Sequence, residues 1–143
     1  MTNHCVEVLL IDDNMEDAEL TRRELKKHNM ANHIVHLKNG KEALDFIFAV
    51  ENLNNPPKVV LLDIQMPKIN GIQVLQKIKG DTRTRSLPVV MLTSSKESPD
   101  ITTCYNLGAN SYIVKPVNFE GFATAIRSLG FYWLLLNQAP DGR

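Results

Sequence analysis

The sequence predicts an α/β fold, a doubly wound five-stranded parallel sheet in (βα)5 order, and three observations carry that expectation. Short runs rich in Val, Ile and Leu recur along the chain, nearly unbroken in apolar character, as suits strands covered on both faces. Longer segments with helical spacing separate them, and strands alternating with helices imply parallel strands joined by right-handed crossovers. The 143 residues fit one domain able to bury a core without disulfides or structural metal. The expected domain spans residues 1–143, with its core at about 5–137 and a short C-terminal tail.

The first strand is "VEVLLI" (6–11), followed by a helix over 15–27 in which Leu20 and Leu25 oppose the wet "RREL" and "KK", with Asn14 as its cap. A weaker strand, "HIVHL" (33–37), leads to the Asn39-Gly40 break and a helix over 40–50, where Ala43, Leu44, Ile47 and Val50 recur at three- and four-residue spacing. The polar "ENLNNPPK" (51–58) reads as a surface loop. "KVVLLD" (58–63) is the third strand, after which Met66-Pro67 and Asn70-Gly71 turn the chain into a helix over 71–79. "LPVVML" (87–92) is the fourth strand, and Ser98 followed by Pro99 signals a cap and first turn for a helix ending near Gly108. "SYIVK" (111–115) is the fifth strand, and the longest helix runs from Asn118 to about Asn137.

Composition removes several function classes. Lys plus Arg and Asp plus Glu both number 16, so the formal charge is zero and no polyanion, nucleic acid or acidic membrane is implied as partner. Cys5 and Cys104 match no metal-ligand spacing and read as reduced thiols. The N-terminal "MTNHC" lacks a basic region and an apolar core, and the apolar run at 131–136 is too short to span a bilayer, so a soluble cytoplasmic protein is expected.

In doubly wound sheets, working groups gather beyond the carboxyl ends of the strands. Here the apolar runs stop at Asp12-Asp13, Asp63, Thr93 and Lys115-Pro116, placing three acids, a hydroxyl and an amine on one sheet edge. Two like charges about 4 Å apart repel by roughly 4 kcal/mol at an effective dielectric near 20, so clustered carboxylates call for a cation. Carboxylates, a backbone carbonyl and waters form the oxygen set that Mg²⁺ accepts. The residues assign Asp13 and Asp63 as direct ligands and Asp12 as a ligand through water, with Lys115 offering its ammonium to the same cluster.

At these residues the sequence resembles the receiver domain of two-component response regulators, from "VLLIDDN" through "LLDIQMPKINGIQVL" and "PVVMLTSS" to "SYIVKPV". The resemblance implies the flavodoxin-like receiver fold and a phospho-accepting signalling protein without external turnover. Asp63 would take a phosphoryl group from a phosphohistidine of a sensor histidine kinase, and Asp12, Asp13 and the Gln65 carbonyl would hold Mg²⁺. Thr93 would then donate to a phosphoryl oxygen, with Tyr112 changing rotamer. Within the family, the "NNPPK" loop and a Trp near the end of the last helix are similar to the small regulators of bacterial phytochrome kinases.

The chain ends soon after the fifth helix, so output is expected through a surface of the receiver itself. "FYWLLL" (131–136) is apolar on every side, whereas a helix on a sheet buries one stripe. Phe122, Ile126 and Trp133 can face the sheet, but Leu134 and Leu135 then cannot all be buried, and Phe131, Trp133, Leu134 and Leu135 are the candidate interface of a homodimer or partner surface built on the fourth and fifth strand-helix units. Two rival readings share parts of the pattern. A haloacid-dehalogenase-type phosphohydrolase also uses a strand-end Asp, Mg²⁺, a hydroxyl and a Lys, but it has an acid two residues after the nucleophile, where Gln65 stands here. A flavodoxin-like binding module could cradle a phosphate in "TSSKES" (93–98).

Overall fold

The computed structural model describes residues 6–138 and Pro140. Cys5, with the rest of "MTNHC", and most of the expected C-terminal tail lie outside the described residues. Five short strands, β1 (Val8–Ile11), β2 (Ile34–Leu37), β3 (Val59–Leu62), β4 (Val89–Thr93) and β5 (Ser111–Val114), form one parallel sheet in the order β2-β1-β3-β4-β5. Six α-helices surround it: α1 (Met15–Lys27), α2 (Gly40–Ile47), α3 (Val50–Asn54), α4 (Gly71–Lys79), α5 (Ser98–Leu107) and α6 (Phe119–Gly130), the last running into a π-helix, Phe131–Leu136. Strand order reverses between β1 and β3, the place where doubly wound sheets open a crevice at their carboxyl edge.

The three central strands are buried along their whole length, which is why they read as unbroken apolar runs. Their side chains alternate between two cores. Leu9, Ile11, Val60, Leu62, Val89 and Met91 pack with Ala43 and Ile47 of α2, Val74, Leu75 and Ile78 of α4 and Cys104 of α5. Val8, Leu10, Val59, Leu61, Val90 and Leu92 pack with Ala18 and Leu25 of α1 and Phe122, Ile126 and Leu129 of α6. Arg127 of α6 reaches Glu24 of α1 at 3.2 Å, tying the two helices on that face.

Asparagines start four of the helices. Asn14, Asn39, Asn70 and Asn118 each accept a backbone N–H from three residues on, satisfying a donor the helix itself cannot. At α4 the arrangement is reciprocal, with Gln73 Oε1 accepting the Asn70 N–H at 2.9 Å. At the opposite edge of the sheet, Lys79 Nζ donates to the carbonyls of Arg85 (3.0 Å) and Leu87 (2.7 Å) and to Asn110 Oδ1 (3.0 Å). Its stem runs beneath Gly108, which ends α5 with φ +106°, a left-handed conformation that side chains disfavour.

Several sequence expectations need correction. Residues 51–58 are not all loop: α2 stops at Ile47, and Val50–Asn54 forms α3, held by Asn52 Nδ2 donating to the Phe46 carbonyl at 2.7 Å. Glu97, not Ser98, is the N-cap of α5; it makes no side-chain cap bond, and its own N–H donates to Ser95 Oγ at 3.4 Å. The last helix is not continuous α-helix to Asn137. Its final turns are π, with the Asn137 N–H bonded to the Tyr132 carbonyl five residues back. That geometry turns Leu134 into the α1/α6 core, so Leu134 is unavailable to the expected interface, whereas Phe131 and Leu135 are exposed and Trp133 is half-buried. Among the described residues no helix is long and apolar enough to cross a membrane.

Gly71 marks the tightest approach near the carboxyl edge: a Cβ there would lie 2.0 Å from the Asp63 carbonyl oxygen. Its N–H is bonded to the Ile64 carbonyl at 2.9 Å, so α4 begins directly against the end of β3. Gly71→Ala is expected to lower stability by about 1–3 kcal/mol, the range for overpacking a filled site. The measurement is the urea midpoint at unchanged m-value.

Candidate functional site

β1 and β3 pair in register with Ile11 opposite Leu62, so Asp12 and Asp63 leave the sheet side by side. The Asp63 N–H donates to the Ile11 carbonyl at 3.0 Å and the Asp12 N–H to the Leu37 carbonyl at 3.1 Å, so the ladder extends to both aspartates. Across the sheet, the Lys115 N–H donates to the Thr93 carbonyl at 2.8 Å, fixing where β5 releases its lysine. Asp12, Asp63, Thr93 and Lys115 are all buried, and Asp13 is exposed.

Lys115 Nζ organises the cluster. It donates to Asp12 Oδ2 at 2.8 Å, Asp17 Oδ2 at 2.8 Å and Asp63 Oδ2 at 3.0 Å, so each of its three N–H bonds meets a carboxylate. Burial pulls the ammonium towards losing its proton, but the hydrogen bonds and charges of its partners outweigh that and raise its pKa above the usual lysine value. Burial pushes the Asp12 carboxyl up to about 6, despite the hydrogen bond and charge of Lys115 and the Asn14 N–H, and the neighbouring Asp63 adds to the rise.

One ammonium meets the carboxylates of Asp12, Asp17 and Asp63, and Asp13 brings a fourth acid beside Asp12 and Asp63. Carboxylate oxygens of Asp12, Asp13 and Asp63 lie within 4.8 Å of one another, close enough to share an ion. These acids outnumber the one ammonium, and an all-oxygen donor set suits a hard divalent cation. The donors present therefore fit a divalent metal. Gln65 sits beside this set, its N–H donating to Asp63 Oδ1 at 3.3 Å.

Thr93, at the end of β4, is fully buried, and its Oγ1 accepts the Ser95 N–H at 3.3 Å. The Tyr112 hydroxyl donates to the Ser95 carbonyl at 2.8 Å, and burial raises its pKa. Ser95 Oγ in turn donates to Asp100 Oδ2 at 2.6 Å, joining the strand-end loop to the first turn of α5. The structure thus gathers Asp12, Asp63 and Lys115 directly, sets Asp13 and Gln65 beside them, and places Thr93 and Tyr112 at the neighbouring strand ends. Phe131, Trp133 and Leu135 belong to the separate surface at the end of α6.

Three groups escaped the sequence reading. Asp17 looks like an ordinary first-turn helix acid, and only the fold shows it turned onto Lys115. His36 Nε2, 2.7 Å from the Asp12 carbonyl, and Asp100 are likewise placed by tertiary structure. A usable signal for Asp17 did exist, since the first turn after a strand end must overhang that end.

Comparison with known proteins agrees with this architecture. The family described as "Response regulator receiver domain" matches residues 8–127. The probable methanogenesis regulatory protein FilR2 of Methanothrix harundinacea is 37% identical over 134 residues, 93% of this chain and 86% of that protein. The response regulator Rcp1 of Synechocystis sp. is 30% identical over 129 residues, 89% of this chain and 88% of its own. The solved Mn²⁺-bound form of Rcp1 superposes with a TM-score of 0.86, covering 94% of this chain and 99% of that one at 30% identity. The phosphorylated cyanobacterial phytochrome response regulator RcpA gives 0.87 at 28% identity, covering 95% and 99%. These likenesses support a phosphorelay regulator over a phosphohydrolase or a flavin-type module. With its five parallel strands and its acidic strand ends around one lysine, the chain belongs to the response regulator receiver family and is a regulator of two-component phosphorelay signalling.

Proposed function

We propose that the chain is a single receiver domain spanning residues 1–143, in which Asp63 accepts a phosphoryl group from a phosphohistidine of a sensor histidine kinase, a bacterial phytochrome. The observation that carries this reading is the Lys115 ammonium held 3.0 Å from Asp63 Oδ2 in a buried carboxylate cluster. An Asp63 oxygen attacks phosphorus, the P–N bond breaks, and the departing imidazole nitrogen keeps the electron pair and takes a proton from solvent. An ionised carboxylate needs no general base, so positioning and charge neutralisation are what the protein contributes. Asp13, Asp63 and the Gln65 carbonyl, with Asp12 acting through water, would hold Mg²⁺, which would supply positive charge to the phosphoryl oxygens. Lys115 supplies the rest, and water later attacks phosphorus, breaking the bond to Asp63 to release inorganic phosphate and restore the carboxylate, without turnover of any external substrate.

Phosphorylation then works as a switch. Thr93 turns its hydroxyl to a phosphoryl oxygen, drawing the β4–α5 loop inward, and Tyr112 changes rotamer with it. Moving such an equilibrium from about 1:99 to 99:1 takes roughly 5.5 kcal/mol of differential interaction, within reach of several charge-assisted hydrogen bonds. The protein acts in the cytoplasm as a homodimer through the β4–α5 and β5–α6 units. Exposed Phe131 and Leu135 with half-buried Trp133 form the contact. A phytochrome kinase as donor is supported by the likeness to Rcp1 and RcpA.

With Mg²⁺ and acetyl phosphate, intact mass is expected to show one added phosphoryl group, lost in Asp63→Asn and without Mg²⁺; beryllofluoride should change the fluorescence of Trp133. No Mg²⁺-dependent adduct on Asp63 would sink the reading. The metal should also act on stability. Asp12 binds its proton more tightly folded (about 6) than unfolded (3.8), so metal-free stability should fall as pH rises through that window. The rise in Tm on adding Mg²⁺ should be larger at about pH 7 than at about pH 5. Replacing both Phe131 and Leu135 by Ser should weaken the dimer more than tenfold, since each buried side chain contributes about 1.5–3 kcal/mol. Sedimentation equilibrium measures it, and an unchanged dissociation constant would remove this surface from the contact.

A further inference from the structure

We infer that Asp17 is a positioning residue for phosphoryl transfer, one arm of a two-carboxylate bracket that keeps Lys115 aimed at Asp63. The inference rests on Asp63 being the phosphoacceptor. The ammonium has three N–H bonds, already spent on Asp12, Asp17 and Asp63. When Asp63 becomes an acyl phosphate its carboxyl loses its charge, and the bond it accepts from the ammonium weakens from an ion pair to a bond with one charged partner. A new phosphoryl oxygen can then take that third N–H, provided the other two remain held.

Asp12 and Asp17 hold them from two different elements, the end of β1 and the first turn of α1. Asp17 is itself fixed: its N–H donates to Asn14 Oδ1 at 3.0 Å, and its carbonyl accepts the Thr21 hydroxyl at 2.8 Å. Two anchors and one free donor define a direction, whereas one anchor would let the ammonium swing about the Asp12 contact. Glu16, beside Asp17 in the same turn, is exposed, which makes it a control for general effects of first-turn acids on α1.

The test is the rate constant for labelling by acetyl phosphate, in which an Asp63 oxygen attacks phosphorus and acetate leaves, measured by intact mass at saturating Mg²⁺ for wild type, Asp17→Asn, Asp17→Ala and Glu16→Ala. Asp17→Ala is expected to slow labelling on the order of tenfold. Asp17→Asn, which keeps an acceptor at the same place, should recover most of the rate, and Glu16→Ala should match wild type. Circular dichroism checks that each variant is folded; should Asp17→Ala be unfolded, Asp17→Ser, whose shorter side chain cannot reach Lys115, takes its place with the same expected slowing. Equal rates, faster labelling in the Asp17 variants, or a loss that vanishes as Mg²⁺ is raised would each overturn the inference. Failure of the wild type to label would instead strike the phosphoacceptor reading itself.

Discussion

Among the described residues, Lys115 is the only cation paired with Asp12, Asp17 and Asp63, two buried carboxylates and one half-buried, which come from the ends of β1 and β3 and the first turn of α1, and its own place is set by β5. An ammonium in that position cannot be withdrawn without stranding charge, and breaking a buried ion pair by deleting one partner costs about 3–5 kcal/mol. The contact therefore locks three stretches that are far apart in sequence, around Asp12 and Asp17, Asp63 and Lys115, into one constellation. It also holds the unmodified cluster in a state with too little positive charge, which is the condition under which an added cation or a change at Asp63 has the largest effect.

Around that contact the rest of the edge divides into a fixed side and a responsive side. On the fixed side, α4 is pressed against the Asp63 carbonyl through Gly71, and its start is closed by the reciprocal Asn70–Gln73 bonds. On the other side, Thr93, Ser95, Asp100 and Tyr112 form a short chain of hydrogen bonds that runs from the end of β4 to α5 and β5. Each link there is made by a side chain that can be turned to another partner.

Much of this was legible in the sequence because parallel strands concentrate their ends. Asp12, Asp13, Asp63, Thr93 and Lys115 each stand where an apolar run stops, and the alternation of strands and helices puts all those stops on one edge. The asparagine caps were legible for an equally local reason. What escaped was whatever depended on contacts across elements. Asp17 acquires its meaning only when Lys115, released by β5, reaches the first turn of α1, and Ser98 falls inside α5 because that helix begins one residue earlier, at the Glu97 cap. Val50–Asn54 formed a helix in Asn-rich sequence because Asn52 found the Phe46 carbonyl. Leu134 could not be told from Leu135 because the hydrophobic pattern of "FYWLLL" has no period.

That last ambiguity is resolved by backbone phase alone. A π turn holds about one residue more than an α turn, and successive residues of an α-helix are offset by about 100°. The stripe that α6 lays on the sheet through Phe122, Ile126 and Leu129 therefore slips out of step after Gly130, so that Leu134 completes the inner stripe while Phe131, Leu135 and Leu136 begin an outer one. Six residues of uniform hydrophobicity are thereby shared between two surfaces. Spacing, and not side-chain chemistry, decides which of the leucines the outside world meets.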